Sequence, residues 1–239
     1  MAQSLVKEFA GVTAARVLDL GCGTGKLLPH LRTAFPQAWI LGVDRSAGML
    51  GVAQQDGGAR LGLMDAQQLA LAADHFDLVF LAFMLFHLPD PVAGLAEARR
   101  VLRAGGSAGL ITWGASPDAV WDPIWTEELD ACGAAPDERD PKVAQHELMD
   151  SPDKLSGLLH EAGLTPERVW SDDFAHPWTV PDLLALHDGL GMPSRRLATL
   201  SAADRAACRT RVEQRLLELS PDQMVERSRL VFAIARRPD

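Results

Sequence analysis

The 239-residue chain contains no tyrosine, so any mechanism that uses a tyrosine base is excluded. Cysteine is scarce. Cys22, Cys132 and Cys208 show neither zinc-site spacing nor the even number of a disulfide framework, and reduced thiols are the default. Long apolar runs are missing as well. The longest, Leu78 to Phe86, is far too short to span a bilayer, and no basic, apolar, cleavable leader opens the chain, so a cytoplasmic location is expected. Positive charge is in deficit: the net charge is −9, which argues against the clustered Lys and Arg of a phosphate-binding surface and demotes nucleic acid as a partner. The arginines between Arg195 and Arg237 alternate with acids and apolar residues, as on solvated helix faces. There is no repeat or low-complexity tract. The His and Asp residues have no recognisable ligand spacing, so no metal is implied.

What is present is an apolar share of 47% and a length that suits one large α/β domain with an ample core. Its organising stretch is Val17-Leu18-Asp19-Leu20-Gly21-Cys22-Gly23-Thr24-Gly25, followed by Lys26-Leu27-Leu28-Pro29-His30-Leu31. An apolar run, glycines at alternate positions and then apolar residues at helical spacing read as strand, tight turn and helix. Glycine suits such a turn because a backbone without Cβ takes positive φ and lets a ligand approach closely. A dinucleotide fingerprint would place its third glycine at position 26, which is Lys26.

Two more acids close apolar strands. Ala38 to Val43 runs into Asp44, about 20 residues beyond the glycines, where a Rossmann-type acid meets a ribose. Leu61 to Met64 runs into Asp65 in the same way. Each acid alone is explained by capping a helix or turn, but three strand-terminal acids in order form a pattern. With the glycines it closely resembles the class I S-adenosylmethionine-dependent methyltransferases. The resemblance covers most of Arg16 to Trp113. It implies that Asp19 helps hold the cofactor's ammonium, that Asp44 accepts from the ribose hydroxyls and that Asp65 meets the adenine amino group. The implied cofactor-binding set is Asp19, Gly21, Cys22, Gly23, Gly25, Asp44, Arg45, Met49, Asp65, Ala66, Ala82 and His87, with S-adenosylmethionine as cofactor.

The implied fold is a Rossmann-like α/β architecture: a seven-stranded, mostly parallel sheet whose last strand is antiparallel, with helices on both faces and helical cap insertions. Its expected divisions are a cofactor-binding core at 1–114, a helical cap at 115–150, and the rest of the core at 151–239 with a helical insertion at 179–219. Within this plan Ser46 reads as an N-cap, Phe76 to Ala82 as the fourth strand, and Asp90-Pro91 as the start of a helix ended by Gly105-Gly106. Ala108 to Trp113 is the fifth strand and Pro166 to Phe174 the sixth. Pro181 to Leu190 and Ser201 to Leu219 are insertion helices, and Leu230 to Ala235 is the last strand, placed by the resemblance between the fifth and sixth.

Methyl transfer from a sulfonium is an in-line displacement that proximity and desolvation accelerate. An oxygen or nitrogen acceptor can need a base, and His87, just past the fourth strand, is the candidate. The structural reading is that His87 only packs or hydrogen-bonds at a helix start. His146 and His176 are weaker candidates. Phe83, Phe86, Trp113, Trp121 and Trp125 line an apolar acceptor pocket or belong to the core. Phe86 stands where the family often has a His, which is expected to make the transfer site drier. The expectation is therefore methyl transfer to O, N or C of a small aromatic or lipophilic metabolite, by a monomer or homodimer. The alternatives are an S-adenosylmethionine-binding protein without transfer and an NAD-dependent oxidoreductase, the latter disfavoured by Lys26 and by the lack of a Tyr-Lys arrangement.

Overall fold

The structure, a computed structural model, describes residues 1–55, 60–115, 119–138 and 145–239. Its seven strands form one sheet in the order β3-β2-β1-β4-β5-β7-β6: β1 Arg16–Leu20, β2 Trp39–Asp44, β3 Arg60–Leu63, β4 Phe76–Ala82, β5 Leu102–Trp113, β6 Thr165–Pro177 and β7 Val225–Arg236. The pairings β1–β2, β1–β4, β2–β3 and β4–β5 are parallel, and β5–β7 is antiparallel. The expected topology, with the last strand inserted beside β5, is the observed one.

The helices are α1 Ala2–Lys7, α2 Leu28–Ala34, α3 Ala47–Gln55, α4 Pro91–Val101, α5 Asp122–Ala131, α6 Pro152–Glu161, α7 Val180–Gly189, α8 Gly191–Leu197 and α9 Ala202–Leu217. Two compact units result. Met1–Ala115, Pro141–Asp172 and Arg229–Asp239 make a sheet unit; Ser116–Asp140 and Asp173–Ser228 make a helical unit. Of the cap expected at 115–150, positions 116–118 and 139–144 lie outside the described residues. Its final stretch packs with the sheet unit, where Met149 is fully buried in the core, Gln145 N donates to Phe86 O and Ala115 N donates to Asp150 O.

Strand β4 shows why both faces of the sheet are covered. Successive side chains of a strand point to opposite sides. Phe80 meets Phe9, which follows α1, at 5.0 Å between ring centroids, and Phe35, at the end of α2, at 6.3 Å. Its neighbours Val79 and Leu81 join Leu95 and Ala98 of α4 and Leu155 and Leu159 of α6 in the other layer. A strand buried on both sides reads as a continuous apolar run, which Leu78 to Ala82 is, the charged Asp77 near its start being satisfied by Ala15 N, Arg16 N and Arg103.

Capping follows the local sequence where the cap is local. Asp90 accepts from Ala93 N at 3.0 Å, and Ser46 Oγ accepts from Met49 N at 3.3 Å. The end of α4 differs from expectation: the helix stops at Val101, and Gly105 and Gly106 lie inside β5. Distant groups end it. Asp74 N and His75 N donate to the carbonyls of Arg100 and Val101, and Arg237 Nη1 donates to those of Arg99 and Arg100, so the final carbonyls find partners without a glycine cap. Helix α8 is an addition to the expected set.

The helical unit has its own core of Trp121, Ile124, Trp125, Leu129, Leu183, Leu184, Leu197, Cys208, Val212 and Leu216. Arg196 of α8 is only 7% exposed. It donates to the carbonyls of Ala134 and Ala135 and to Asp130, the pairing a buried guanidinium requires.

Candidate active site

The loops after β1, β2 and β3 are tied together at the carboxyl edge of the sheet. Gly21 N and Cys22 N both donate to Val43 O, at 2.8 and 2.9 Å, and Met64 N donates to Asp44 O at 3.0 Å. Gly21, Gly23 and Gly25 have φ of 74°, 54° and 77°, a region costly for residues with a Cβ. Two of these glycines differ in their surroundings. A Cβ on Gly21 would lie 2.6 Å from Met84 Cβ, whereas nothing lies within 4 Å of one on Gly23. The loop after β4 therefore packs on the first glycine, and bare backbone at the third position of the turn faces open space.

Asp44 holds this turn. Its Oδ2 accepts from Gly23 N and its Oδ1 from Ser46 N, both at 2.8 Å, leaving each oxygen a further acceptor position. Asp65 is exposed and fixed by Gln67 N, which donates to Oδ1 at 2.9 Å. Asp19 is 1% exposed, and its Oδ2 is buried without a hydrogen-bond partner. Burial first, and the neighbouring charge of Asp44 second, push its carboxyl up to about 7. The same causes, burial and then Asp19 and Asp44, push the Cys22 thiol up to about 12. The local field is negative. A cation placed there gains charge attraction and supplies the donors that Asp19 lacks. A phosphate would meet carboxylates instead.

The other expected residues divide into groups. Arg45 and Met49 are exposed at the start of α3, Ala66 is buried beside Asp65, and Ala82 ends β4 half-buried. Phe83 follows with φ of 54°, a left-handed backbone that is a genuine outlier for a bulky aromatic. Phe83 N donates to Ile111 O at 2.9 Å, and its ring sits 4.9 Å from Trp113, so these two candidates are brought together. Phe86 is buried, with its ring 4.3 Å from the exposed His87 and 4.0 Å from His146. His176 lies in the helical unit, 4.5 Å from Trp178. Trp121 and Trp125 are 4% and 0% exposed in that unit's core. The strain at Phe83 and the contact of Met84 with Gly21 carry no sequence signal. Among the described residues no group of three metal-ligating side chains occurs, and no helix is long and apolar enough to cross a membrane.

Comparison with known proteins gives the following. Residues 17–106 match the family described as "Methyltransferase domain". The chain is 41% identical over 93 residues to a malonyl-[acyl-carrier protein] O-methyltransferase of Hahella chejuensis, covering 38% of this chain and 33% of that protein. It is 37% identical over 113 residues to a ubiquinone biosynthesis O-methyltransferase of Aromatoleum aromaticum, covering 45% of this chain and 47% of the relative. The chain thus spans between a third and a half of the length of these curated relatives. Among solved structures, a candidate methyltransferase of Bacillus halodurans C-125 aligns over 99% of both chains with a TM-score of 0.63 at 18% identity, a likeness of fold.

Proposed function

We propose, from the premise that the chain belongs to the class I S-adenosylmethionine-dependent methyltransferase family, that it is an enzyme transferring a methyl group to O, N or C of a small aromatic or lipophilic metabolite. The observation that carries the cofactor assignment is the buried Asp19 carboxyl, one oxygen unpartnered and its proton affinity raised beside Asp44. Such a group calls for a cationic ligand, and the cofactor carries an ammonium and a sulfonium. The same negative field argues against a pyrophosphate and so against NAD.

In this reading Asp19 holds the ammonium, the open backbone at Gly23 allows close approach, Asp44 accepts from ribose hydroxyls with its remaining lone pairs, and Asp65 accepts from the adenine amino group. Arg45, Met49, Ala66 and Ala82 complete the walls. When bound, the cofactor supplies an electrophilic methyl group. The chain's part is to orient and desolvate: the strained Phe83 and its neighbour Trp113 offer a pair of tilted apolar rings to the acceptor. Buried Phe86 keeps the start of the following turn dry.

His87 is the candidate base for an oxygen or nitrogen acceptor. Replacing it as His87→Gln tests this: loss of 10²-fold or more in kcat is the size expected of a general base, and near-normal turnover would remove it from the mechanism. The relatives, a malonyl-[acyl-carrier protein] O-methyltransferase and a ubiquinone biosynthesis O-methyltransferase, guide the choice of panel. Incubation with S-adenosylmethionine and quinols, phenols, carboxylic acids and amines should yield S-adenosylhomocysteine with at least one class. Tight cofactor binding without product from any acceptor would favour a noncatalytic binder. The reading includes a cytoplasmic monomer or homodimer without a nucleic-acid partner, which fractionation and light scattering test.

A further inference from the structure

The helical unit brings together two side chains that the chemistry above leaves unused. Cys132 caps the carboxyl end of α5, and Cys208 lies within α9. They are distant in sequence, yet Cys208 belongs to the apolar core of the helical unit and Cys132 packs against that same core. Arg211, one turn beyond Cys208 on the same face of α9, donates through Nη2 to the Cys132 sulfur. Glu128, one turn before Cys132, fixes that guanidinium by accepting from Arg211 Nε at 2.8 Å and also accepts from Arg215 at 3.0 Å. The cation is thereby held against the sulfur.

The three cysteines differ in what surrounds them. Burial first, and the neighbouring Asp19 and Asp44 carboxylates second, push the Cys22 thiol up to about 12, and among the described residues no cation donates to its sulfur. Cys208 is fully buried; burial first, and the neighbouring Cys132 second, push its thiol up to about 12. Cys132 is partly exposed and has a guanidinium donor at sulfur. A cationic donor at an accessible sulfur favours its reaction, and a second thiol beside it can resolve the product.

We propose that Cys132 and Cys208 form a peroxide-reactive dithiol that closes reversibly to a disulfide joining the end of α5 to α9. The Cys132 thiolate attacks a hydroperoxide: an S–O bond forms, the O–O bond breaks, and the departing oxygen leaves as water or alcohol after taking a proton. The Cys208 sulfur then attacks Cys132, the S–S bond forms, and hydroxide departs with the Cys208 proton as water. A dithiol reductant returns both thiols.

The test exposes the reduced full chain to graded hydrogen peroxide, alkylates free thiols and maps peptides by mass spectrometry. The expected result is a Cys132–Cys208 linked peptide, two hydrogens lighter than the reduced pair and reversed by dithiothreitol, while Cys22 stays alkylated. With Cys208→Ser the link disappears and dimedone traps a sulfenic acid at Cys132. With Arg211→Gln oxidation at Cys132 slows by about tenfold, on the order expected for losing a cation at sulfur. Oxidation of Cys22 or Cys208 as fast as Cys132, or conversion of Cys132 to sulfinic acid with no linked peptide, overturns the proposal.

Discussion

At the scale of single residues the account turns on Asp19. Its carboxyl titrates near 7 in the folded chain and near 4 when unfolded, the ordinary aspartate value. Between these values the folded state holds a proton that the unfolded state does not, so stability is present at low pH and is lost as pH rises through about 7. Binding of a cation has the opposite slope, because the ligand needs the ionised form. Affinity for S-adenosylmethionine should therefore rise as pH increases through about 7, while the unliganded protein loses stability over the same range. Asp19→Asn should flatten both profiles and lower affinity; calorimetric titration and urea unfolding across pH 5 to 8 check this, and unchanged profiles would show that Asp19 neither holds the cation nor titrates as described. Much of this site was legible from sequence because strand-terminal acids and alternate glycines are local patterns. Phe83 was not, since its left-handed backbone depends on how β4 and β5 present their ends. The burial of Phe86 against His146 was likewise set by a segment far along the chain.

At the scale of elements, the glycine turn joins two demands that two substitutions separate. Both Gly21 and Gly23 have positive φ, but only Gly21 has Met84 against its missing Cβ. Gly21→Ala should lower stability by about 1–3 kcal/mol more than Gly23→Ala, the usual range for overpacking. Gly23→Ala should fold and chiefly weaken ligand binding, because its added methyl stands where the backbone is open. Comparing denaturation midpoints with binding constants for the two variants checks the split; equal effects on both quantities would contradict it. Strand β4 could be read from the sequence because a doubly covered strand is apolar over most of its length, here from Leu78 to Ala82. The end of α4 could not, because the groups that satisfy its last carbonyls come from residues 74–75 and from Arg237. Helix α8 stayed hidden for a related reason: Arg196 looks like a surface residue until Ala134, Ala135 and Asp130 are seen to satisfy it.

At the scale of the molecule, the two units respond to pH in opposite directions. His187 of the helical unit packs its ring 5.2 Å from Trp125, and both of its ring nitrogens are buried without partners. Burial lowers its proton affinity, with Glu226 and Asp188 partly offsetting. A histidine depressed in the folded state contributes stability above its unfolded value of about 6.5 and loses it as pH falls. His187→Phe should remove this acid sensitivity without affecting the loss near neutral pH that Asp19 imposes. Hydrogen exchange of α7, followed from pH 8 to pH 5, should show it opening in the parent chain but not in the variant; equal acid sensitivity in both would exclude His187 as its source. The central claim, that the carboxyl edge of the sheet holds a cationic, phosphate-free nucleoside, is tested most directly by calorimetric titration of S-adenosylmethionine into the parent chain and Asp44→Ala, with NAD as the competitor. The account predicts binding to the parent, a loss of about tenfold or more in Asp44→Ala, as expected for removing a hydrogen-bonded charged acceptor, and no displacement by NAD. Unchanged affinity in Asp44→Ala, or displacement by NAD, would contradict it.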